Sequence, residues 1–195
     1  GCNVEFFTIS QSVHDVGSTK PMILFVNSTI RDGVNFNSPL TDVTILLENS
    51  MISQSNPAQR PPLGDAVVDI PHTITRTTII AEYAALVLYE GAPYYFRVQN
   101  ASNCTLAFHG WNGAEPRTFA GATKRGEPYA AARVFVMLNH SSDTYLEVWD
   151  GRANITTASA VDTITSIFAF SHTAIRPHVT INGLNMGVRS LSGPG

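Results

Sequence analysis

Tyr94-Tyr95-Phe96-Arg97-Val98-Gln99, then Asn100-Ala101-Ser102-Asn103, then Cys104-Thr105-Leu106-Ala107-Phe108-His109 read as two successive strands joined by a polar connection. Aromatic and β-branched side chains suit a half-buried pleated surface, and the Asn and Ser between them mark a turn. The same grammar extends in both directions. Towards the N-terminus lie Asn3 to Ser10, Met22 to Thr29, Thr41 to Leu47, Ala66 to Ile70 and Thr73 to Ile80. Towards the C-terminus lie Ala132 to Leu138, a polar turn at Asn139 to Asp143, Thr144 to Trp149, Ile164 to Phe170 and His178 to Ile181.

Residues 48–66 and 110–128 are rich in Pro, Gly, Ser and Asn and read as long loops. Ala81 to Tyr89 is the one short helix expected, with Tyr83, Leu86, Val87 and Tyr89 on its apolar face and Gly91 ending it. Turn signals at intervals of roughly 8 to 15 residues predict an all-β sandwich or barrel. No internal repeat stands out, which argues against a propeller or solenoid.

Composition bears on function. Only 14% of the 195 residues are charged, against roughly 25% in an average soluble domain. The net charge is −3, with no run of like charges, so no basic arm supports tight nucleic-acid binding. A surface so poor in charge is expected to be covered by neighbouring subunits. One domain spanning 1–195 is expected, with no membrane span, because the apolar runs are far short of the roughly 20 residues a span needs. Cys2 and Cys104 allow one disulfide or two free thiols. Gly1 in place of Met reads as a processed or trimmed end, compatible with excision from a polyprotein.

Residues 77–98, Thr-Thr-Ile-Ile-Ala-Glu-Tyr-Ala-Ala-Leu-Val-Leu-Tyr-Glu-Gly-Ala-Pro-Tyr-Tyr-Phe-Arg-Val, resemble a segment of picornavirus-like capsid proteins. Tyr145 to Trp149 falls where that family has a Glu-containing strand leading to an exposed loop. The Asp-Asp-Phe maturation motif of some insect-virus relatives is absent, and Glu147-Val148-Trp149 does not continue into the family's Pro-Tyr-Tyr. The resemblance implies an eight-stranded antiparallel jelly-roll β-sandwich with long loops and one or two short helices. It implies a non-enzymatic structural subunit of a non-enveloped icosahedral capsid enclosing an RNA genome. Such a subunit would be found in the virion, and in the host cytoplasm during assembly. Its partners would be other capsid subunits and a host receptor, with no cofactor.

Chemistry-bearing residues are sparse. The histidines at 14, 72, 109, 140, 172 and 178 show no metal-ligand spacing, and no Gly-x-Ser-x-Gly elbow occurs. Strand alternation would put Glu147 and Asp150 on opposite faces, against a paired-carboxylate site. Neither a catalytic residue nor a metal ligand is therefore expected. Tyr94, Tyr95, Phe96, Phe108, Trp111 and Trp149 read as core or interface aromatics. Trp111, bracketed by Gly110 and Gly113, is the preferred contact residue, with Trp149, Tyr94 and Tyr95 beside it.

Five sequons, at Asn27, Asn100, Asn103, Asn139 and Asn154, are a mild excess over chance and support an alternative. In that reading the chain is a secreted, glycosylated β-sandwich that binds carbohydrate or a cell surface.

Overall fold

The computed structural model describes residues 2–4, 7–9, 13–14, 20–53, 66–88, 94–112, 115–116, 118–121, 133–157 and 165–190. The strand-forming composition is realised throughout, and no described residue is helical. The chain visits three sheets in rotation. One sheet contains Met22–Val26, Thr44–Glu48, Thr78–Glu82, Thr105–His109, Tyr145–Trp149 and His178–Asn182; we call it the front sheet. A second, the long-strand sheet, contains Phe7–Ile9, Val34–Phe36, Ala66–Thr75, Tyr94–Ser102, Arg133–Ser142 and Thr165–Ile175, with Leu40–Thr41 and Val13–His14 alongside. The third contains Asn3–Val4, Thr29–Ile30, Met51–Ser53, Ala85–Leu88, Thr118–Gly121, Arg152–Thr157 and Asn185–Ser190.

Every strand of these three sheets pairs in parallel with the strand one circuit earlier or later. A chain that winds round three faces and stacks each circuit on the last is a parallel β-helix. The expected antiparallel jelly-roll sandwich is thus overturned, and with it the argument against a solenoid. Among the described residues only Trp111–Asn112 with Glu115–Pro116 pairs antiparallel. The error has a physical origin: side chains alternate with a period of two whichever way the neighbouring strand runs. The polar residues after Tyr94–Ser102 turn the chain onto the next face instead of reversing it.

Other local readings change for the same reason. Over Ala81 to Leu88 the expected helix is the end of one strand, a corner at Tyr83, and the strand Ala85–Leu88, while Tyr89 and Gly91 lie outside the described residues. The expected turn at Asn139 to Asp143 shrinks to a single residue, since Arg133–Ser142 runs on as strand. The loop reading of 48–66 gives up Met51–Ser53 to the third sheet, and that of 110–128 gives up three short strands.

The corners explain how the chain winds. Asp42, Arg76, Asn103, Asp143 and Arg176 lead into successive front strands, and all have φ between 47° and 57°. Asn27, Asn49, Tyr83 and Asp150 leave that sheet with φ between 46° and 53°. Asn and Asp tolerate this left-handed conformation, but for Arg and Tyr it is strained. Bidentate ion pairs across the stack tie down both Arg corners. Arg76 Nε and Nη2 donate to Asp42 at 2.8 and 2.5 Å, and Arg176 donates to Asp143 at 2.5 and 2.8 Å. Each guanidinium holds its partner's carboxyl below the ordinary carboxylate range, chiefly through these hydrogen bonds. Because both carboxyl pKa values are depressed on folding, this stabilisation is present above the unfolded carboxylate pKa and is lost as pH falls through the folded values.

Just inside the first set of corners sit Val43, Thr77, Cys104 and Thr144, all buried. The polar members are satisfied by carbonyls: Thr77 Oγ1 donates to Thr75 O at 3.0 Å and Thr144 Oγ1 to Ser142 O at 3.1 Å. The core then fills by columns. Ile45, Ile79, Leu106 and Leu146 form one column of the front sheet, and Leu47, Ala81, Phe108 and Val148 form another. They meet Val34, Val68, Phe96 and Val136 of the long-strand sheet and Ile30, Ile52 and Leu86 of the third. Phe96 and Phe108 meet edge to face at 5.5 Å, bringing the front and long-strand sheets into contact across the interior. In the last circuit Val179 and Ile181 continue the front-sheet columns but are 47% and 50% exposed. No described strand stacks beyond them.

Both cysteines are free thiols, Cys2 exposed and Cys104 buried. Burial pushes the Cys104 thiol pKa up. No described helix is long and apolar enough to cross a membrane. Phe135, a large aromatic in the strand Arg133–Ser142, has a side chain outside the described residues.

Leu106→Ala should lower unfolding free energy by about 2–5 kcal/mol, because the stack cannot collapse around one missing side chain. Equilibrium denaturation reads this directly, and a loss under about 0.5 kcal/mol would contradict the column packing. A chromogenic disulfide reagent should titrate Cys2 in native protein and Cys104 only after unfolding.

Candidate functional site

Parallel stacking places residues of the same strand position directly above one another. On the outer surface of the front sheet, the last strand position forms the column Val26, Glu48, Glu82, His109, Trp149, Asn182. Glu48 and Glu82 are register partners, so two carboxylates sit on adjacent strands about 4.8 Å apart. Like charges directly opposite are destabilising. A fold that otherwise alternates Asp with Arg across its corners thus accepts repulsion at this place, and such local violations concentrate at functional sites.

The column borders a surface groove of about 310 Å³ lined by Glu82, Tyr83, His109, Glu147, Trp149 and Asp150. Trp149 is 42% exposed, and its ring meets the His109 imidazole at a centroid distance of 6.3 Å and an interplanar angle of 66°. His109 Nε2 lies 3.9 Å from Glu147 Oε2, an ion pair whenever the imidazole is protonated. Both side chains are more than a third exposed, so the pair is screened by water and adds little to stability. At the opposite end of the same strands, away from the groove, Tyr145 stacks on His178, centroids 4.5 Å apart and planes 8° apart.

The corner builds the rest of the groove. Asp150, with φ 47°, turns out of the front sheet and swings to the same side as Glu147, so both carboxylates line the groove. Strand alternation had put them on opposite faces. It fails because the strand ends at Trp149 and the next residue is left-handed. Gly110 allows the neighbouring corner to approach closely: a Cβ there would lie 2.7 Å from the Gly151 Cα. Gly110 N donates to Trp149 O at 2.9 Å, tying the two circuits at the groove edge.

The aromatics singled out from sequence separate. Trp149 lies in the groove, whereas Tyr95, 1% exposed, belongs to the core and is no surface contact residue. Tyr94 is half-buried at the start of Tyr94–Ser102. Trp111 lies in the strand Trp111–Asn112, and its side chain is outside the described residues. Sequence reasoning missed Glu82, Tyr83, His109 and Asp150 as one constellation. The available signal was positional: Glu48, Glu82, His109, Trp149 and Asn182 each close a strand just before a corner. Elsewhere, His140 and His172 approach with centroids 5.0 Å apart. Among the described residues no group of three or more His, Cys, Asp or Glu could hold a metal ion.

Asp69 and Arg97 form the one deeply placed ion pair among those described. Arg97 Nε and Nη2 donate to the two carboxylate oxygens at 2.8 and 2.7 Å, and the Asp69 side chain is 3% exposed. The pair cross-links two adjacent long strands away from the groove and is structural. No family model, curated protein or solved structure matches the chain.

With Trp111→Phe as background, His109→Gln should change the Trp149 emission, because the ring that meets the indole is removed. An unchanged emission spectrum would contradict the placement of the two rings.

Proposed function

We propose that this chain is a carbohydrate-binding β-helix whose groove on the front sheet takes an uncharged or basic sugar, and that it binds without catalysing. The observation that carries this reading is the exposed Trp149 ring standing over a groove lined by Glu82, Glu147, Asp150 and His109. An indole face packs against the C–H surface of a pyranose, while carboxylates and an imidazole accept and donate hydrogen bonds to its hydroxyls. Among the described residues no Lys or Arg lines the groove, so its described lining disfavours sulfated and uronic-acid glycans and favours neutral or amino sugars.

Binding is preferred to cleavage because the groove is open. Its acids stay wet, whereas carboxylate catalysis relies on one acid held in a water-poor environment. The sequons support the secreted or cell-surface setting of this reading. Assembly into an icosahedral shell rested on the resemblance of residues 77–98 and on the scarcity of charge; the jelly roll that the resemblance implied is replaced by the parallel coil, and stacking offers another account of the scarce charge.

Glycan-array screening followed by calorimetry tests the proposal. A neutral or amino sugar should bind, with Trp149→Ala weakening it about tenfold or more and Glu147→Gln by a smaller factor. Thermal unfolding should change little in both variants, since neither side chain belongs to the buried core. Absence of any glycan ligand, or full affinity in Trp149→Ala, would overturn the reading.

A further inference from the structure

The structure sorts the five sequons. Asn27 and Asn103 are exposed corner residues with φ of 49° and 52°, projecting where one sheet gives way to the next. The Asn103 side chain makes no hydrogen bond among the described residues, and its backbone N–H is already satisfied by Ser142 O at 3.0 Å. At Asn27 the Oδ1 accepts from Asn49 Nδ2 at 2.5 Å, a contact that uses the oxygen and not the amide nitrogen of Asn27. In each sequon the middle residue, Ser28 or Cys104, points into the core, while the hydroxyl-bearing third residue, Thr29 or Thr105, is only half-buried.

Asn100 and Asn139 are placed differently. Both lie within the long strands Tyr94–Ser102 and Arg133–Ser142 and are half-buried. Their amides are committed across the sheet: Asn100 Nδ2 donates to Thr73 Oγ1 at 3.1 Å, and Asn139 Nδ2 donates to Gln99 Oε1 at 2.5 Å. Asn139 Oδ1 also accepts from Ser171 at 2.7 Å. A glycan on either nitrogen would stand on the sheet surface among neighbouring strands about 4.8 Å away and would disturb that polar ladder. The side chain of Asn154 is outside the described residues.

We infer that Asn103 and Asn27 are N-glycosylation sites and that Asn100 and Asn139 are not. The donor class is a lipid-pyrophosphate-linked oligosaccharide, delivered by a glycosyltransferase of the secretory route. The amide nitrogen attacks the anomeric carbon, the N–C bond forms and the C–O bond to pyrophosphate breaks. The lipid pyrophosphate leaves with the bonding pair, and the amide proton passes to an enzyme base. Asn103 precedes the strand Thr105–His109 at the end opposite the groove, and that strand alone spans about 13 Å at roughly 3.3 Å per residue. A glycan there flanks the front sheet without filling the groove.

The test is secretion of the chain from eukaryotic cells behind an added signal peptide, then peptide mass mapping after a glycosidase that converts each glycan-bearing Asn to Asp. Conversion is expected at Asn103 and Asn27, with Asn100 and Asn139 unconverted. Asn103→Gln should remove one glycan's mass from the intact protein. Thr105→Ala should do the same while keeping the corner Asn, which guards against a folding defect in the first variant. A secreted, folded protein bare at Asn103, or carrying its glycan at Asn100 or Asn139, would overturn the assignment. Sugar binding should survive Asn103→Gln, so the sequon assignment and the groove fail or stand separately.

Discussion

The rest of the structure depends on parallel, in-register stacking, which sets each side chain directly over the same strand position one circuit away. Inside, this makes apolar columns such as Ile45, Ile79, Leu106 and Leu146, each buried by its neighbours above and below. Outside, a charge faces whatever occupies the same position at a spacing of about 4.8 Å. Like charges are therefore penalised along every column, and uncharged Ser, Thr and Asn are the economical choice. That accounts for the low charge content without invoking partners to cover the surface. Where charge is used at the corners it comes as opposite pairs, Asp42 with Arg76 and Asp143 with Arg176.

The same constraint makes the groove conspicuous. Glu48 over Glu82, followed by His109 and Trp149, breaks the pattern kept elsewhere, and Glu147 and Asp150 add further acid beside it. Stability alone would not select that arrangement. A surface assembled from successive circuits also explains why the residues are dispersed in sequence. Glu82, His109 and Trp149 are register partners in space although separated by 27 and 40 residues along the chain.

The winding was written in the sequence in a form that spacing concealed. Thr41 to Ser50, Thr75 to Ala84, Ser102 to Trp111, Ser142 to Gly151 and Ile175 to Leu184 share one ten-residue plan. Each has a corner residue at its second position, an inward residue after it, then alternating outward and inward positions to a second corner. Registered partners Met22, Thr44, Thr78, Thr105, Tyr145 and His178 fall 22, 34, 27, 40 and 33 residues apart. The numbers of residues between the third-sheet strands and the long strands that follow them differ from circuit to circuit, which produces that irregularity. A search for a fixed period therefore finds nothing, although the blocks align.

The amino-acid sequence by itself determined that the chain is built of strands, where most of them lie, and which aromatic and β-branched residues are suited to a core. Those properties follow from local composition and two-residue alternation, which every strand carries in itself. Tertiary structure decided strand direction, the closure into three faces, the withdrawal of Tyr95 into the core and the gathering of Glu82, His109, Glu147, Trp149 and Asp150. The physical reason is that alternation is identical in parallel and antiparallel sheets, while direction and column membership depend on corners and on pairing between distant segments. At Tyr83, helical spacing and strand composition competed, and pairing on both sides of a left-handed corner prevailed.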